Sequence, residues 1–270
     1  MSNASEHSMS KTAVPAKKEE SIGELVRTVV YALLIALVIR TLAFEPFNIP
    51  SGSMTPTLLT GDYVFVSKFS YGYSAHSLPF APGFLHGRLF GSLPKRGDVA
   101  VFANPSTGED YIKRIVGLPG DKIQVIHGVL NINGEPAKRE RIEDYTEHEW
   151  EDRYDHPTDE VRYQYIETLP NGVKHRILGN PIAVPEDTYP QDSTGVFEVP
   201  ADHFFAMGDN RDNSADSRFQ DPGQLGYVPV DNLVGRADRR FISLTAGAHL
   251  WEIWRWPWTL RFSRFFGPVN

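Results

Sequence analysis

At 270 residues with 41% hydrophobic content, the chain is long enough and apolar enough for a packed core. A formal charge of −7 with scattered Lys and Arg excludes the clustered cationic surface that nucleic-acid binding needs. No cysteine is present, which excludes disulfides, thiolate catalysis and Cys-ligated zinc, and the nine histidines show no metal-ligand spacing; no metal is expected.

In chain order, the first 24 residues are rich in Ser, Lys, Glu and Ala without apolar period and read as a disordered tail. An uncharged run from Thr28 to Ile39, extended by apolar residues on both sides, predicts a membrane-spanning helix over 25–45. Arg27 and Arg40 near its ends can extend their charges to the interface. Hydropathy alone also allows a cleavable signal peptide ending at Thr41-Leu42-Ala43. Lys11, Lys17, Lys18 and Arg27 precede the segment, and after Arg40 the next basic residue is Lys68. This asymmetry predicts a cytoplasmic N-terminus, the rest of the chain outside, and the lipid bilayer as a partner.

Beyond the anchor, alternating and β-branched stretches predict strands at Tyr63 to Val66, Val99 to Phe102, Tyr111 to Val116, Ile123 to Ile126, Val129 to Ile132, His203 to Met207 and Val234 to Ile242. His127-Gly128 and Asn133-Gly134 mark reversals between them. The expected fold is mainly β: an antiparallel core over 46–135 and 201–246, with an inserted β cap over 136–200. Tyr71 to Lys95 reads as a long surface loop. The tail over 247–270 carries four tryptophans and several arginines, and two readings stay open, docking on the core or anchoring at a membrane interface.

Ser53 stands on a Gly/Pro-flanked turn, a setting in which chains present a hydroxyl for chemistry. It has no Gly-x-Ser-x-Gly elbow. The Ser92 to Lys95 match to Ser-x-x-Lys is opposed by Pro94, which blocks the helix that motif requires. Lys113 is the better partner. Neighbouring Ile112, Ile115 and Val116 would desolvate it and lower its pKa until the amine can take a serine proton, while Arg114 faces the other way and can stay ionised. An exposed strand lysine is the plainer alternative.

Four separated blocks then resemble type I signal peptidases, the membrane-bound Ser/Lys endopeptidases of protein export. They are Glu45 to Leu58 with Gly61-Asp62-Tyr63-Val64, Arg96 to Phe102, Asp110 to Asp121, and Met207 to Phe219. The resemblance implies Ser53 as nucleophile, Lys113 as general base, Ser214 as the serine that orients the lysine, and Ser51 as a donor to the oxyanion. It implies Asp216 and Arg218 as a structural ion pair of the site wall. Phe47, Ile49, Met54, Leu58, Tyr111 and Ile112 would line shallow pockets that admit only small side chains, giving an Ala-x-Ala preference. It further implies signal-peptide-bearing preproteins as substrates, work beside the export translocon in a bacterial inner membrane with a periplasmic catalytic domain, and no cofactor. One departure stands out. Where the family commonly continues from Phe219 with Trp-Gly, Gln220 to Leu225 intervene here. A membrane-tethered β domain that binds exported proteins without cutting them, and a Ser/Lys self-cleaving regulator, are the competing functions.

Overall fold

The computed structural model describes residues 22–78, 87–149, 158–179 and 190–270. Most of the expected tail, the middle of the expected loop and two stretches of the expected cap lie outside them. The apolar run forms one helix, α1 (Ile22–Leu42), of 21 residues, about 31 Å long at 1.5 Å per residue. It ends sooner than expected. Phe44 and Glu45 belong to a strand, because their backbone pairs with Ser67 and Val66.

That strand, β1 (Phe44–Asn48), leads to the turn bearing Ser53 and then to β2 (Asp62–Ser67), β3 (Val99–Ala103), β4 (Asp110–Gly117), β5 (Lys122–Ile126) and β6 (Val129–Ile132). The chain continues through β7 (Glu135–Pro136), β8 (Lys138–Arg141), β9 (Tyr145–Glu149), β10 (Thr158–Thr168) and β11 (Lys174–Gly179). It closes with β12 (Phe197–Glu198), β13 (His203–Met207), β14 (Val228–Pro229), β15 (Leu233–Ser243) and one helical turn, α2 (Trp256–Thr259). Seven strands make the main sheet in the order β1-β2-β15-β3-β4-β13-β14, and every neighbouring pair is antiparallel. Pro46 is tolerated in β1 because that strand lies at the sheet edge, where a missing N–H costs no ladder bond.

A second sheet runs β12-β5-β6-β7. Its hairpin reversals sit where the dipeptides predicted: His127 and Gly128 have φ 47° and 73°, Asn133 and Gly134 57° and 85°, the left-handed region that tight hairpin turns require. A third sheet runs β11-β10-β8, with β9 also on β10. The outermost parts of the 136–200 insertion therefore differ from the expectation of a separate cap. β7 and β12 extend the second sheet, and Ala137, Leu169 and Val199 pack into one cluster with Val116, Ile123 and Phe205. Each fully buried Val, Leu, Ile or Phe among them contributes about 1.5–3 kcal/mol relative to exposure.

Two other apolar clusters flank the main sheet. One holds Ile49, Met54, Leu58, Val64, Val99 and Val101; the other holds Tyr71, Ala100, Phe102, Ile115, Phe204 and Leu233. The described ends of the 71–95 loop are pinned rather than loose. The Tyr71 hydroxyl donates to Asp98 at 3.0 Å, and Arg88 donates to the carbonyls of Gly72, Val230 and Leu233. Burial lowers the Arg88 pKa to about 10, against the opposing pull of Asp231. The C-terminal segment docks through Leu260 beside Leu244 and through Arg264 on the Asp62 carboxylate at 2.5 Å. Even so, Trp251, Trp254, Trp258, Phe262 and Phe266 remain exposed.

Candidate active site

β3 and β4 pair in a register that sets Ala100 opposite Lys113 and Val99 opposite Arg114. Successive side chains on β4 point to opposite faces, so these two neighbouring cations have different surroundings. On one face, Lys113 is 5% exposed and its Nζ donates to Ser53 Oγ at 2.7 Å. Ser53 is itself buried, on a short 3₁₀ turn over Gly52–Met54 whose Met54 is anchored in the apolar cluster. Burial is the largest influence on Lys113 and lowers its pKa to about 8, against the opposing pull of Asp216 and Asp209. The Tyr111 ring, 5.4 Å from Nζ, closes that side.

On the other face, Arg114 grips the Asp209 carboxylate with two bonds of 2.8 Å, and Thr57 donates to the same carboxylate at 2.5 Å. Burial pushes the Asp209 carboxyl up, but Arg114, His175 and Thr57 together hold its pKa below the ordinary value. Arg114 also donates to the Gly97 carbonyl at 2.8 Å.

The 207–219 block forms the remaining wall. The Asn210 N–H donates to the Ser53 carbonyl at 3.1 Å, and its side-chain amide donates to the Gly52 carbonyl at 3.2 Å. Gly208 has no room for a side chain, since a Cβ there would lie 2.3 Å from Ser214 Oγ and 2.5 Å from the Ser53 carbonyl oxygen. Ser214 is buried at this contact beside the Asp216 carboxylate, whose charged form it helps to favour, and no hydrogen bond joins it to Lys113 among the described residues. Asp216 and Arg218 form the expected pair, with bonds of 2.8 and 2.9 Å, and Asp216 also accepts the Gly208 N–H at 3.0 Å. Ser51 is exposed, with Oγ 3.4 Å from Ser53 Oγ.

Of the expected pocket residues, Ile49, Met54 and Leu58 are core, with Phe47 and Ile112 half-buried against the same cluster. Tyr111 is half-buried against the other cluster. The inserted residues after Phe219 do not break the wall. They form a loop closed by the Gly226 N–H on the Phe219 carbonyl at 3.0 Å, and Leu225 returns to the core.

Sequence reasoning missed Asn210, Thr57 and Asp209 as parts of the site, and it missed a second buried group. Glu167 on β10 makes a two-bond pair with Arg211 at 2.9 and 2.5 Å, and His175 Nε2 on β11 lies 3.3 Å from Glu167. Asp209 and Arg211 stood in a quoted block, so their charges were visible. Nothing in the sequence around Glu167 marks it as inward-facing.

A desolvated amine on a buried serine hydroxyl, carried by an antiparallel β scaffold, is the equipment of hydrolases that pair serine with lysine. Comparison with known proteins shows the family. Residues 22–242 match the family model described as "Signal peptidase, peptidase S26". The Signal peptidase I of Rickettsia prowazekii is 40% identical over 230 residues, covering 82% of this chain and 80% of that protein. The Signal peptidase I of Rickettsia typhi is 39% identical over 244 residues, covering 87% and 85%. A crystal structure of a signal peptidase I from Enterococcus faecalis V583 matches at 22% identity and TM-score 0.29, over 54% of this chain and 97% of that chain. The chain belongs to the signal peptidase I family, a family of hydrolases.

Proposed function

We propose that this protein removes N-terminal signal peptides from exported preproteins as a membrane-anchored serine endopeptidase, with Ser53 as nucleophile and Lys113 as base. The 2.7 Å contact between two buried side chains, Lys113 Nζ and Ser53 Oγ, carries this reading. When the amine is neutral the bond reverses, and the hydroxyl donates to the nitrogen lone pair. As Oγ attacks the scissile carbonyl, Nζ takes the proton. The ammonium then gives that proton to the leaving amine as the C–N bond breaks, leaving an ester on Ser53. Water attacks the ester, Nζ takes a proton from it, and Ser53 regains a proton as the ester breaks.

Ser51 and the Ser53 backbone N–H would hold the oxyanion, and the half-buried Phe47, Tyr111 and Ile112 would exclude large side chains before the cut, backed by Ile49, Met54 and Leu58, which are fully buried behind the site and not open to a substrate. That exclusion is the physical basis of an Ala-x-Ala preference. α1 is long and apolar enough to span a bilayer. With the basic residues preceding it, it supports a cytoplasmic N-terminus and a catalytic domain on the outer side, beside the translocon that delivers substrates. No cofactor enters this chemistry.

The test is cleavage of a purified preprotein by Ser53→Ala and Lys113→Met, each checked for folding. Both are expected to lose at least about 10³-fold in kcat. Near-normal turnover by either would end the dyad reading.

A further inference from the structure

The loop that holds the Ser53 carbonyl is itself held from the far side by the β10–β11 hairpin. The Leu178 N–H of β11 donates to the Asp209 carbonyl at 2.9 Å, and the Arg211 N–H donates back to the Leu178 carbonyl at 3.0 Å. Between these two bonds sits Asn210, whose main chain and side chain grip Ser53 and Gly52. The side chain of Arg211 then reaches into the hairpin and closes on both oxygens of Glu167. Arg218, paired with Asp216 in the site wall, donates to the Arg211 carbonyl at 2.5 Å.

The three carboxylates Glu167, Asp209 and Asp216 are therefore matched by three guanidiniums, those of Arg211, Arg114 and Arg218. All six are buried. His175, opposite Glu167 in the β10–β11 register, fills the space between Glu167 and Asp209, 3.3 and 3.9 Å from them. A fully buried ion pair adds little net stability over an apolar pair of the same volume, whereas removing one partner leaves the other charge buried and uncompensated.

We propose that Glu167 is a positioning residue for the peptidase reaction, acting through Arg211 to hold the 208–211 loop and, through Asn210, the Ser53 turn at its distance from Lys113. The β10–β11 hairpin is on this account a brace for the nucleophile. The proposal rests on the Ser53–Lys113 reading. Nucleophile placement enters the rate of the chemical step far more than ground-state binding, since misplacement of about 1 Å can cost 10²-fold.

The experiment uses the full chain in detergent, comparing wild type, Glu167→Gln, Glu167→Ala and, as a control on the same sheet, the exposed residue change Glu140→Gln. Preprotein cleavage is measured per folded molecule, with amide exchange followed over 208–211. Glu167→Gln is expected to lower kcat about ten-fold with KM within about two-fold, and to speed exchange at Asn210 and Arg211, with Glu167→Ala worse on both. Glu140→Gln is expected to match wild type. If neither single variant folds, since each leaves Arg211 buried without its carboxylate, the double variant Glu167→Leu/Arg211→Met, which removes both charges, decides: wild-type kcat and exchange in it overturn the proposal. Wild-type kcat in Glu167→Gln, or a loss explained wholly by the unfolded fraction, overturns the proposal. Ser53→Ala run alongside separates the two claims. Activity retained there defeats the dyad, whereas undisturbed exchange and turnover in Glu167→Gln defeat only the brace.

Discussion

Lys113 and Arg114, consecutive on β4, bury two cations on opposite faces of one strand, and only one of them has a carboxylate in its grip. Arg114 has Asp209. Lys113 has a hydroxyl at 2.7 Å, and desolvation weakens its hold on the proton. The chemistry proposed for the site follows from that inequality.

The first expectation is a pH–rate profile. A lysine pKa lowered to about 8 by burial means that the neutral, active base is scarce below that pH and dominant above it. kcat/KM for preprotein cleavage should rise through a single ionisation with a midpoint near 8 and then level. A midpoint near 6.5 would assign the base to a histidine.

Asp209 pulls the Lys113 pKa upward, so removing its charge should do the reverse. Asp209→Asn alone leaves Arg114 buried without its partner, a change that costs about 3–5 kcal/mol in comparable sites. The double variant Arg114→Met/Asp209→Asn removes both charges. Losing the Asp209 anion lowers the Lys113 pKa and losing the Arg114 cation raises it, so the rate midpoint is expected within about half a unit of the wild-type value; a shift of a full unit or more would contradict the electrostatic account.

Ser51 is exposed beside the nucleophile, 3.4 Å from Ser53 Oγ. If it donates to the oxyanion, the bond exists in full only at the transition state. Ser51→Ala should then lower kcat by about 10²–10³-fold, or about 3–4 kcal/mol, with little change in KM. Ser51→Thr, which keeps the hydroxyl, should recover most of the loss. Equal effects on kcat from both substitutions would point to packing instead.

The docked C-terminal segment leaves Trp254 at 65% and Trp258 at 80% exposure while Arg261 and Arg264 tie it to Thr60 and Asp62. Indoles on a braced segment suit a membrane interface. Trp254→Ala/Trp258→Ala should reduce cleavage of a preprotein embedded in anionic vesicles several-fold while leaving cleavage of a short soluble peptide unchanged. Equal loss on both substrates would mean that the segment serves only to support β15.

The strand pattern was legible because β-branched alternation is a local signal: Ile112, Ile115 and Val116 marked β4, and Val99 to Phe102 marked β3, each within a residue or so of its bounds. β1 was not, since Phe44 continues the apolar anchor and Pro46 reads as a break. Only its pairing with β2 reveals it. Ser53 and Lys113 were legible together, through four blocks in one order. Glu167 was not. On a strand, an acid between Ile166 and Thr168 has the appearance of a solvent-facing residue, and its burial depends on Arg211, 44 positions away. Long-range charge pairing leaves no periodic trace.

Gly208 carries a consequence for when this enzyme becomes active. The Ser53 turn and the Lys113 strand are made early in synthesis, but the surface they close against is Gly208, pressed on the Ser53 carbonyl, followed by Asn210, Ser214 and Asp216. Until the ribosome has passed those residues and the intervening sheets have folded, serine and lysine stand in water, where the amine holds its proton. A chain stopped before Gly208 should bind membranes and cut nothing. On the proposed Ser53–Lys113 chemistry, the site stays incomplete until the last quarter of the chain arrives.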